Sequence, residues 1–82
     1  MARQAISGEA LRQILVAETG RLLGVDAGHL CSKVTITRAS GQPNWDASID
    51  VIGLNTVRAF NEALKRALAQ YTVDHTHFYE RL

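Results

Sequence analysis

The sequence predicts a single α+β domain of α-β-β-α order, with two helices laid on one face of an antiparallel hairpin. Three observations carry this: a chain of 82 residues, two stretches with helical apolar spacing, and two stretches of strict apolar/polar alternation between them. Eighty-two residues hold one core at most and exclude an enzyme with a cleft between two domains. Leu, Ile, Val and Phe number 22 of the 82, above the roughly 20% level below which chains stay disordered.

The first helix is expected over Ser7 to Leu23, where Leu11, Ile14, Leu15, Val16, Leu22 and Leu23 recur at helical spacing. Ser7 is its expected N-cap, Glu9 faces the positive end of the helix dipole, and Gly24 is its stop. Gly20 is the weak point, costing up to ~1 kcal/mol relative to Ala inside a helix. Val25 to Leu30, with Asp26 and Gly28, reads as a connector.

Two half-buried strands follow. In Lys33 to Arg38 the apolar residues fall at even positions, and in Trp45 to Val51 at odd ones. Closing a hairpin at Ser40-Gly41-Gln42-Pro43 sets Val34 against Ile49 and Ile36 against Ala47, with both apolar rows on one face. The other face then sets Lys33 against Asp50, Thr35 against Ser48 and Thr37 against Asp46. A slip of one residue would bury Asp46 and Asp50. Trp45 is expected to point inward, its indole N–H needing an acceptor near the end of the hairpin.

The second helix is expected to begin at Thr56, capped by Asn55, with Leu54 as the preceding hydrophobic residue. Val57, Phe60, Leu64, Ala67, Leu68 and Tyr71 form its apolar stripe. Arg58, Glu62, Lys65 and Arg66 line the opposite side, with Arg58–Glu62 and Glu62–Arg66 at i,i+4. The domain is thus expected over 7–71, with 1–6 a leading tail and 72–82 a trailing one.

A two-stranded sheet is marginal by itself and leaves two open edges. The strand Val34, Thr35, Ile36, Thr37 is β-branched throughout and carries charge only at its ends, so it is the less protected edge. It is expected to pair with its twin in a second chain, giving a four-stranded antiparallel sheet under two-fold symmetry. The leading functional expectation is therefore a small non-enzymatic homodimer that binds a further protein through its polar sheet face or a free edge.

Other chemistries have fewer residues in their favour. A net charge of +1 supplies no field to draw the protein onto nucleic acid or anionic lipid. A weak nucleic-acid face on the second helix would use Arg58, Lys65 and Arg66, but three charges on one exposed face is ordinary solvated surface. A metal site would use His29 and Cys31 together with His75 and His77, each pair at i,i+2 and so aligned if extended. Neither pair matches a zinc-finger or zinc-ribbon spacing, and Cys31 also reads as a small buried hydrophobe. Glu18 flanks the apolar stripe of the first helix, where burial could raise its pKa toward proton transfer; the bland alternative is pairing with Arg21. Ser32, Ser40 and Ser48 lack a nucleophile-elbow context, and no glycine-rich phosphate loop is visible. No cofactor is expected.

No aliphatic run approaches the ~20 residues that span a bilayer, and Met1 to Ala5 lacks the apolar segment of a signal peptide. With one cysteine, Cys31, the expected setting is reducing and cytoplasmic. The helix–strand–strand–helix order is similar in topology to part of the double-stranded-RNA-binding fold. That family opens its last helix with clustered lysines, whereas here the turn reads Asn55-Thr56-Val57-Arg58 and a third strand is missing. Leu23-Gly24-Val25-Asp26 resembles the end of the first helix of acyl carrier proteins, but no Asp-Ser-Leu attachment motif follows. No family is assigned from sequence.

Overall fold

In the computed structural model, which describes residues 3–41 and 43–73, the chain builds two small sheets under a pair of helices. The order is β1 (Gln4–Ile6), α1 (Gly8–Leu23), a 3-10 helix (Gly28–Lys33), β2 (Val34–Arg38), β3 (Trp45–Ile49), α2 (Leu54–Gln70) and β4 (Tyr71–Val73). The fold is α+β, and it carries two strands and a 3-10 helix beyond the expected four elements.

The hairpin has the register set by the two alternating segments: Val34 opposes Ile49, Thr35 Ser48, Ile36 Ala47 and Thr37 Asp46. The Ala39 amide donates to the Asn44 carbonyl at 3.0 Å to close the turn, and Gly41 adopts φ 91°, a left-handed conformation open to glycine at no steric cost. Val34, Ile36 and Trp45 are buried while Thr35, Thr37, Asp46 and Ser48 face solvent. This is the one-sided burial that period-two alternation dictates.

Ser7 caps α1, its Oγ accepting from the Ala10 amide at 3.1 Å. At the other end Gly24 takes φ 74° and the Val25 amide donates to the Gly20 carbonyl, a left-handed cap that ends the helix. The helix runs unbroken through Gly20, because the chain after Gly24 folds back over it: a Cβ there would lie 2.7 Å from the Val25 carbonyl oxygen. Glycine is present for this close approach, and its low helix propensity is outweighed. The buried row is Leu11, Leu15 and Thr19, with Val16 and Gly20 beside it. Leu22, expected on the core stripe, is 37% exposed: it lies on the same side of the helix as Leu11 and Leu15 but in the last turn.

Helix α2 starts at Leu54, with Gly53 at the N-cap and no side-chain cap; the Val57 amide donates to the Gly53 carbonyl at 3.0 Å. Asn55 is therefore inside the helix, and Leu54 is 63% exposed in place of packing before a cap. Phe60, Ala63 and Ala67 form its buried face, flanked by half-buried Val57, Leu64 and Leu68. Helix α1 packs on α2 and β2, and α2 on β3. Phe60, Leu11 and Leu15 meet Trp45, Val34 and Ile36 in one core.

The segments expected as tails are structured in part. Gln4–Ile6 pairs in parallel with Tyr71–Val73, Ile6 opposite Val73. Tyr71 thus leaves the helical stripe and enters β4; 74–82 lie outside the described residues. What holds β4 in place is the start of β3. The Trp45 indole N–H donates to the Tyr71 carbonyl at 3.0 Å, which is the acceptor the sequence called for. The Asn44 carboxamide bonds Val73 twice: its Nδ2 donates to the Val73 carbonyl at 3.1 Å, and its Oδ1 accepts from the Val73 amide at 3.0 Å. Arg3 adds a bond from Nε to the Leu68 carbonyl at 2.7 Å.

Asn44→Ala removes two bonds and strands two backbone groups, so chemical denaturation should show a loss of about 1–3 kcal/mol. Gly20→Ala should also lower the denaturation midpoint, against the ~1 kcal/mol that helix propensity alone would add; a rise would show that the Val25 carbonyl is not tightly held over Gly20.

Candidate functional site

The two outer edges of the hairpin are unlike. The Asp50 amide donates to the Lys33 carbonyl and the Ala39 amide to the Asn44 carbonyl, which places the bonded rungs of β2 at odd residues. Val34, Ile36 and Arg38 therefore turn their backbone groups away from β3. On β3 the outward residues are Trp45, Ala47 and Ile49. The central outward donor of β3, the Ala47 amide, is taken by the Asp46 carboxylate at 2.8 Å. Strand β3 is thus blocked in the middle by its own side chain. Strand β2 has no strand partner on its outer side among the described residues.

The four residues singled out on β2 divide by parity. Val34 and Ile36 are buried in the core, and Thr35 and Thr37 are exposed. Because the inward side chains are covered within the chain, the strand offers its backbone edge and a threonine face. Asp46, which caps the outward Ala47 amide, and Asn44, which bonds Val73 of β4, were not singled out as site residues from sequence; a carboxamide or carboxylate flanking a strand carries no periodic signal.

The basic residues of α2 do not form a uniform patch. Arg58, Lys65 and Arg66 are all exposed, but Arg66 reaches Glu18 on α1 at 3.1 Å and Glu62 at 3.8 Å. Two carboxylates thus offset its charge. Arg58 and Lys65 stand two turns apart, roughly 10 Å along the axis.

Glu18 sits at the rim of a cleft of about 230 Å³ between the helices, lined by Ile14, Ala63, Ala67 and Tyr71 among others. The Arg21 guanidinium, bonded to its carboxylate through Nε at 3.0 Å and through a second nitrogen, holds the Glu18 pKa below its ordinary value. Partial desolvation opposes this, and the charges of Arg21 and Arg66 reinforce it. Of the two readings of Glu18, pairing with Arg21 is the one observed and the raised pKa is corrected: two guanidiniums outweigh the apolar wall. The carboxylate acts as a tie between α1 and α2.

His29 and Cys31 lie in the 3-10 helix, His29 exposed and Cys31 half-buried. Successive residues there turn by about 120°, so i,i+2 residues diverge, and the extended alignment on which the metal reading depended is not present. Cys31 packs against the core and lines an apolar cleft of about 430 Å³ with Val16, Ala17, Gly20 and Val25. His75 and His77 lie outside the described residues. Among the described residues no group of three or more His, Cys, Asp or Glu side chains could hold a metal ion, and no helix is long and apolar enough to cross a membrane.

Compared with known proteins, the chain matches no family, and no curated protein or solved structure matches it.

A carboxylate whose folded pKa lies below the unfolded value adds stability that is present above the unfolded value, near 4.5, and is lost as pH falls through the folded one. Glu18→Gln should therefore be less stable than the parent at neutral pH. The gap in denaturation midpoint should close as pH drops below the ordinary carboxylate range. A gap independent of pH would show that the charge of Glu18 contributes nothing.

Proposed function

We propose that this protein is a small, non-enzymatic, homodimeric interaction module that associates through the outer edge of β2. What supports this reading is the asymmetry of the hairpin: the Asp46 carboxylate occupies the outward amide at the centre of β3, while the outer side of β2 meets no strand among the described residues. Native proteins blunt the edges they do not use, and an edge left open is a template for another strand.

The energetics support the same reading. A domain of this length buries only a little over ~60% of the surface of its unfolded chain, and its larger sheet has two strands, which is marginal without help. Joining two hairpins through β2 gives the order β3-β2-β2-β3, with each chain's helices on the same side. The outer face, built from Thr35, Thr37, Ser48 and Asp46, would then double in extent and offer a polar surface to a second protein. Glu18 is assigned no catalytic role, being held ionised between two arginines. A free Cys31 suits a reducing compartment such as the cytoplasm.

Sedimentation equilibrium should return a mass near twice 9.0 kDa. The melting temperature should rise with protein concentration, because association stabilises the folded chain by mass action. A mass of one chain at all concentrations up to about 100 μM, with a melting temperature independent of concentration, would overturn the proposal.

A further inference from the structure

We infer that the groove between α2 and the chain just ahead of β1 receives a segment of another protein in which acidic side chains stand beside apolar ones. This rests on the reading of the chain as an interaction module, but not on the β2 dimer, which uses a different surface.

The groove has a volume of about 420 Å³ and is lined by Arg3, Asn61, Leu64, Lys65 and Leu68 among others. Asn61, Leu64, Lys65 and Leu68 follow one another at i, i+3, i+4 and i+7, so they form a single stripe and the groove runs along the helix. Leu64 and Leu68 are half-buried while Asn61 and Lys65 are exposed. The result is an apolar floor beside a polar rim. Arg3 comes from the opposite wall, where its Nε donates to the Leu68 carbonyl at 2.7 Å. That carbonyl is among the last four of α2, which have no partner within the helix. The bond takes one of the five N–H donors of the guanidinium and fixes the side chain at the groove. An arginine already held in place loses less freedom when it meets an anion.

The lining thus carries two cations, one from each wall, and no carboxylate among its described residues. The acidic side chain of α2, Glu62, is engaged by Arg66 at 3.8 Å, and Arg66 in turn reaches Glu18 on α1, away from the groove. Its charge therefore calls for an anion, and its floor for apolar atoms. Single-stranded nucleic acid supplies the charge, but it relies on aromatic rings for its bases to stack on, and the described lining has none. An anionic membrane is held by clusters of basic residues, and two cations on a chain of net charge +1 are too few. A small ligand is held in a pocket that covers most of its surface, whereas this groove lies open along its length. A protein segment meets every condition: its apolar side chains cover Leu64 and Leu68, and its carboxylates reach Lys65 and the planar fork of Arg3.

The test is a titration of the isotope-labelled full chain, followed by backbone amide chemical shifts, with a short peptide of alternating leucine and aspartate. Two further peptides carry asparagine in place of aspartate, or serine in place of leucine. The expected result is a saturable shift of the Asn61, Leu64, Lys65 and Leu68 amides by the leucine–aspartate peptide at or below about 1 mM, with either control at least tenfold weaker. Lys65 is the residue to vary, since Arg3 also serves the end of α2. Lys65→Gln should weaken binding by about tenfold, and added salt should weaken it further. An equal response to the asparagine or serine peptide, an unchanged affinity in Lys65→Gln, or no saturable shift at these amides overturns the inference. Tighter binding of oligothymidylate at the same amides overturns it in favour of nucleic acid. Sedimentation of the same sample reads the β2 dimer separately, so a monomer that binds the peptide keeps the groove and loses the dimer.

Discussion

The fold depends on the grip of Asn44 and Trp45 on β4. Among the described residues each of the two sheets has two strands, a marginal size for a sheet by itself. The Asn44 carboxamide offers Val73 one donor and one acceptor, as the backbone of a neighbouring strand would. With the Trp45 indole bonded one turn of the pleat away at Tyr71, two side chains act as a third strand. Trp45 itself is 2% exposed, so the same residue that anchors the core also joins the sheets. Losing that anchor would remove the side-chain hydrogen bonds that join the two sheets.

Around this join the layers divide the labour. Helix α1 covers β2, α2 covers β3, and Glu18 with Arg21 and Arg66 ties the helices together across their solvent side. Salt bridges at such positions stabilise little; the cluster matters more for what it takes out of play. It commits an arginine that would otherwise add to a basic surface and a glutamate that would otherwise be a candidate acid. The proposed association rests on surface this cluster does not touch, the outer edge of β2 and its exposed threonines.

The hairpin was legible because two signals agree: even apolar positions in one strand and odd ones in the other exclude every one-residue slip, and the short turn between them selects among the remaining registers. The caps Ser7 and Gly24 were legible for the same reason, each being a residue type with one common use at a helix end. Strands β1 and β4 were not, since three residues carry no periodicity and their pairing spans nearly the whole sequence. The 3-10 helix was read as a connector because Gly28 and Asp26 are turn formers and its apolar residues, Leu30 and Cys31, are too few to show a period. Gly20 was misjudged from propensity alone, as its reason lies in a carbonyl five residues further on. Leu22 was misplaced because angular position alone does not tell which turns of a helix lie against the core: it shares a side with Leu11 and Leu15 but falls in the last turn.

The parallel pairing of β1 with β4 has a mechanical side. The chain enters this ribbon at Gln4 and leaves it at Val73, at opposite ends of the paired segment. Tension applied along the polypeptide from outside these points runs lengthwise through the ribbon. Its rungs are then strained in shear and resist together, whereas a hairpin pulled apart from its open end yields one bond at a time.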